Sequence, residues 1–284
     1  MTMTTLQTRP DTTETAAAAV PSVSAGQVFR DAVASEWMKV RTLRSTYAFF
    51  IAGVGAFLLG MFILFMLIQS FDAAPPENQS NYETADPTVV VMPFVMFFIG
   101  AIGGMLITSE FTTRSIGPGL LAVPQRRTLL AAKATVVGAI GLFGGLLFAL
   151  LSFSGATLLL GDRPAPLNPW PNPTDALPTV FCAAALVMIT CIVTLGLGTV
   201  LRSTASTLTT LGGLVLVAPV FAHFLPTTWQ LRFGSILLPN LTPQIVGANH
   251  PWMLSQAGAV AVAIGYAVVA LGVAAFAFKR RDAS

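Results

Sequence analysis

Charge is what this 284-residue chain has least of: Asp, Glu, Lys and Arg together make up 10% of it, against roughly a quarter in a soluble domain. Apolar residues make up 54% and the mean hydropathy is +0.75. An aqueous globule cannot hide that much apolar surface, so a soluble fold is excluded. Cysteine is nearly absent too. Cys182 and Cys191 lie nine residues apart on one apolar run, which at about 100° per residue puts them on opposite faces of a helix. They cannot bridge each other within that helix, and two thiols alone make no metal site. His223 and His250 are the only histidines, and no HExxH is present, which excludes zinc hydrolase chemistry of that type. The three lysines, Lys39, Lys133 and Lys279, follow Met, Ala and Phe, so no P-loop exists and no nucleotide is expected on this chain. No nucleophile–base pair is visible, and an enzyme is not expected. The basic residues flank apolar runs and form no basic domain, which argues against nucleic-acid binding.

What the chain does have is long apolar runs. A bilayer core of about 30 Å takes about 20 helical residues. Six stretches qualify: Tyr47–Ile68, Val89–Thr108, Leu129–Leu151, Pro178–Leu201, Leu208–Leu225 and Ala257–Phe278. The fifth carries Pro219, which is expected to kink it. The fold class is therefore an all-α integral membrane protein with six transmembrane helices. With both termini in the cytoplasm, 13 of the 15 basic residues fall inside, all but Arg163 and Arg232. The acids divide six and six, giving +7 inside and −4 outside, as the positive-inside rule requires. None of the six runs holds an Asp, Glu, Lys or Arg away from its ends. Proton-coupled carriers use such groups at mid-membrane, so this absence argues against one.

The organisation along the chain follows. Residues 1–26 are rich in Thr, Ala and Pro and read as a disordered cytoplasmic tail. Residues 27–46 put Phe29, Val33, Trp37, Val40 and Leu43 on one helical face, with Arg30, Glu36, Lys39, Arg41 and Arg44 on the rest. That is an amphipathic helix lying in the inner interface, its basic groups reaching anionic lipid headgroups. Residues 47–278 form the six-helix domain, and 279–284 a basic cytoplasmic tail. Within the domain, the segment 226–256 is half apolar and flanked by Trp229 and Trp252; short helices on or in the outer leaflet are expected there. The loop 109–133 alternates charged and apolar residues and is broken by Gly117-Pro118-Gly119 and Pro124. It is longer than a plain connector needs and suits short helices offered to a cytoplasmic protein. Small residues recur at Gly138, Gly141 and Gly145 in the third run, and at Gly100 and Gly104 in the second. Such stripes let helices approach closely in lipid, with packing inside the chain as the default and a dimer face as the alternative.

The pairing of Ser35-Glu36-Trp37-Met38-Lys39-Val40-Arg41-Thr42-Leu43-Arg44-Ser45 with Ser109-Glu110-Phe111, Pro124-Gln125-Arg126-Arg127 and Lys133 resembles the ABC-2 type transporter permeases of Gram-positive bacteria, actinobacteria especially. The resemblance covers nearly the whole chain after residue 27. It implies a coupling element over Glu110–Lys133 that meets a separate ATP-binding subunit, with Glu110, Phe111, Arg114, Pro124, Arg126 and Arg127 as contacts. ATP and Mg are then expected on the partner. A glycine often stands in that family where this chain has Arg114. The resemblance further implies a dimer with a second copy or a paralogue in the plasma membrane, exporting an apolar or amphipathic cargo. Two other readings stay open at this point: a secondary carrier, and a non-transporting membrane scaffold or immunity protein.

Overall fold

The computed structural model of the chain describes residues 24–113, 126–170, 172–247 and 251–280. Most of the expected N-terminal tail, residues 281–284 of the C-terminal one, and Arg114 and Pro124 of the coupling loop lie outside these residues. Everything described is helix or connection, and six helices are long and apolar enough to cross a membrane.

The first helix, α1 (Ala25–Thr42), begins where the Ser24 hydroxyl accepts the Gln27 amide at 3.3 Å, a side-chain cap for an otherwise orphaned donor. It stops at Leu43, whose extended backbone separates it from α2 (Arg44–Ala73). The Tyr47 hydroxyl donates back to the Arg41 carbonyl at 2.9 Å across that break. Two single-turn helices, α3 (Pro76–Gln79) and α4 (Pro87–Val90), lead to α5 (Met92–Thr112). The third span, α6, runs over Arg126–Leu160 and is 35 residues long. The fourth, α7 (Leu177–Leu201), follows a single 3-10 turn and ends at Arg202 in the left-handed region, φ 52°.

The fifth span, α8 (Thr204–Ala222), is α-helical to Gly212, widens to a π segment over Gly213–Val217, and closes as Ala218–Ala222. Pro219 accounts for the widening. Its ring would strike the carbonyl of residue 215, and it has no N–H to donate there. Opening the turn relieves both, so the expected kink takes the form of a π insertion. Beyond it, 226–247 is built from short helices: α9 (Thr227–Ser235), a 3-10 turn and α10 (Leu241–Val246). The last span is α11 (Gln256–Arg280).

The core is centred on α7, packed by α6, α5 and α11. Glycine makes this closeness possible. A Cβ on Gly145 would meet the Val187 Cβ at 2.8 Å and the Ala184 carbonyl oxygen at 3.0 Å. One on Gly141 would lie 2.7 Å from the Met188 Cα. Gly100 and Gly104 do the same for α5, against Thr190 and Thr194 of α7. Gly138 differs, because a Cβ there would meet nothing nearer than 3.8 Å. Three hydroxyls buried on α7 are satisfied within the helix: Thr190, Thr194 and Thr199 donate to the carbonyls of Leu186, Thr190 and Leu195. By contrast α2, α8 and α11 leave most of their length uncovered, including Ile51, Phe62, Phe221 and Phe276.

At the acidic end of the bundle, Arg163 clamps α2 to α6. Its Nε and Nη2 donate to the two carboxylate oxygens of Asp72 at 2.8 and 2.6 Å, and its Nη1 donates to the carbonyls of Leu159 and Leu160.

Candidate functional site

The buried face of α1 is Ala32, Glu36 and Val40, residues four apart and hence on one side of the helix. A glutamate in the middle of such a face requires a partner, because an unpaired charge away from water is costly. Its partner is Lys133, seven residues into α6 in the run Leu129-Leu130-Ala131-Ala132-Lys133-Ala134 and only 1% exposed. The Lys133 ammonium donates to Glu36 Oε2 at 2.8 Å and to Glu110 Oε1 at 2.6 Å. Glu110, 6% exposed, stands near the end of α5. Lys39 closes the group from the more exposed side, donating to Glu36 Oε1 at 2.6 Å and to Glu110 Oε1 at 2.7 Å.

The result is a neutral quartet of two ammonium and two carboxylate groups on three helices. Glu36 uses both oxygens and Glu110 offers one to both lysines. Burial alone would lower the Lys39 pKa, but the hydrogen bonds and charges of Glu110 and Glu36 together outweigh it and hold the group above its ordinary 10.5. A second contact lies beside the quartet, where the Arg202 guanidinium sits over the Phe111 ring, 5.0 Å from its centroid, in cation–π geometry. Thr204 donates to Thr108 at 2.8 Å nearby. The start of α8 and the end of α7 are thereby joined to the end of α5.

The structure brings together some of the residues singled out in the sequence and leaves others apart. Glu36, Lys39 and Glu110 converge. Glu110 and Phe111 lie on α5 rather than in a loop, which the helix carries down to Thr112, and the Glu110 carboxylate faces the two lysines. Trp37, on the expected apolar face of α1, is 45% exposed on the side away from the quartet, and Arg41 and Arg44 are exposed. Arg126 and Arg127 open α6, the Arg126 Nη1 donating to the Phe278 carbonyl of α11 at 2.6 Å. The sequence reading missed Lys133 as a member of the site, taking it as the end of a loop. A lone lysine within an apolar helical run was the available signal. Among the described residues, no group of three or more His, Cys, Asp or Glu side chains is placed to hold a metal.

Fold and site together define a multi-pass α-helical membrane protein whose first helix, α1, is pinned to its second and third spans. Residues 32–162 match the family described as ABC-2 family transporter protein. That stretch, which carries the first three spans and the whole quartet, is similar to the family over somewhat less than half of the chain. No curated protein matches it significantly.

Proposed function

We infer that the chain is the permease subunit of an ATP-driven exporter, working as a dimer with a separate ATP-binding subunit in the plasma membrane. The observation that supports this reading is the ion quartet. It joins α1 to the two helices that border the cytoplasmic loop, so both ends of that loop are held to one rigid element. A loop anchored in this way transmits a push from a docked partner to three helices at once, where a free loop would absorb it. ATP and Mg belong to the partner, whose closure would bias the spans between inward- and outward-facing arrangements. Phe111, Arg114 and Pro124 fall on or beside that docking stretch. Thr190, Thr194 and Thr199, buried on α7, bond within their own helix, and a route for cargo fits better between two copies than through one. The apolar faces left uncovered on α2, α8 and α11 suit an apolar or amphipathic cargo.

The test is to extract the tagged chain from its native membrane in mild detergent and identify what accompanies it. A stoichiometric P-loop ATPase supports the reading. A stable complex without one overturns it and leaves the secondary carrier or the scaffold.

A further inference from the structure

Between the start of α6 and the end of α11 lies a cavity of about 390 Å³, lined by Arg126, Arg127, Leu130, Ala275, Phe276 and Phe278. It has two kinds of wall. One is cationic: Arg126 is held in place through Phe278, which takes only one of the five donors a guanidinium carries, and Arg127 is exposed. Among the described residues the five ion pairs involve neither arginine, so two positive charges face the cavity without a carboxylate from these parts of the chain. The other wall is hydrocarbon, and it continues outward. Ala275 is exposed and Phe276 is 55% exposed on α11, along the surface the membrane covers.

We propose that this cavity binds an anionic phospholipid of the inner leaflet, its phosphate between Arg126 and Arg127 and an acyl chain along Ala275 and Phe276. Charge and shape point to the same ligand. A soluble anion would satisfy the arginines and leave the apolar wall wet, whereas a zwitterionic lipid would fill the wall and bring a cation to the arginines. Basic pockets between helices at the inner membrane surface take anionic headgroups for this reason, and the arginines stand at the end of the bundle where the charge count puts +7. The site rests on the membrane reading alone and not on the ATPase. It assigns Arg126 and Arg127 to lipid instead of to the coupling contact, and it gives the weakly enclosed α11 a second tie to α6.

The experiment is native mass spectrometry of the purified full chain, counting retained phosphatidylglycerol against phosphatidylcholine. Three variants accompany the wild type: Arg126→Gln/Arg127→Gln, Arg127→Gln alone, and the control Arg232→Gln, which removes the same charge as the single variant from an exposed arginine that the charge count leaves on the other side of the membrane. The wild type and the control should each hold a single phosphatidylglycerol and bind phosphatidylcholine about tenfold more weakly or worse. The double variant should lose it. Arg127→Gln, whose exposed side chain is not needed for folding, should weaken it several-fold. Equal retention by the double variant, equal loss in the control, or no preference between the lipids overturns the site. Displacement of the lipid by millimolar inorganic phosphate would show a free-phosphate site instead. Unchanged lipid retention, with a co-purifying protein lost from the double variant, would make the arginines a protein contact. A missing ATPase in the wild type leaves the lipid result untouched, so the two proposals fail separately.

Discussion

Lys133 of the third span lies 2.8 Å from Glu36 of α1, a residue 97 positions earlier in the chain. Both side chains are almost wholly buried, so the pair carries consequences that an exposed salt bridge would not.

Removing Lys133 should be strongly destabilising. In Lys133→Met, Lys39 alone would have to neutralise Glu36 and Glu110, and breaking a buried ion pair from one side costs about 3–5 kcal/mol. The expected outcome is a large fall in the thermal midpoint, read by fluorescence-detected size exclusion. Replacing Glu36, Glu110 and Lys133 together by apolar residues of similar size should recover much of it, because the loss comes from the stranded charge.

Reversing one charge should be repairable by reversing its partner. Glu110→Lys puts three ammonium groups around the single Glu36 carboxylate and should cut the amount of folded protein in the membrane. Adding Lys133→Glu restores two charges of each sign on the same helices and should return most of it. If the double variant is no better than Glu110→Lys, the two side chains are not paired as described.

The glycines of α6 should differ in tolerance. Gly145→Leu and Gly141→Val drive carbon into Val187, Ala184 and Met188 of α7 and should abolish the monodisperse protein. Gly138→Ala has ordinary contact distances on offer and should be neutral or slightly stabilising through helix propensity. Comparison of elution profiles and melting curves decides it.

The pH dependence of Lys39 has a definite sign. Its folded pKa lies above the ordinary 10.5, so its contribution is fully present below that value and disappears as the pH rises through the folded pKa. The difference in thermal midpoint between wild type and Lys39→Met should stay constant from neutral pH to about 10 and shrink above it.

Much of the fold was legible because hydropathy is local. All six expected spans have a counterpart, and the differences lie at the ends. The third run, read as Leu129–Leu151, extends to Arg126–Leu160 because a helix tolerates Arg126 and Arg127 at one end and Ser152, Ser154 and Thr157 at the other, where a hydropathy threshold does not. The quartet was illegible for the opposite reason. Its members are 23 to 97 residues apart between segments, and each has an adequate local explanation: Glu36 and Lys39 as the wet side of an amphipathic helix, Glu110 as a loop contact. Only the docking of α1 on α6 reveals that the side bearing Glu36 is the dry one. The roles of Gly141 and Gly145 were nearer the surface of the sequence, since spacing alone places them on one face. Their opposite number, α7, was not readable from spacing.

Glu110 presents the same oxygen to Lys39 and to Lys133, so neither lysine can be drawn away without disturbing the other's partner. Mechanically, α1, the end of α5 and the start of α6 form a rivet rather than a hinge. Force entering at that corner is carried onward, and any bending of this half of the protein must occur elsewhere. The extended residue Leu43 and the π turn ahead of Pro219 are the places along the backbone where the helical rods are already interrupted.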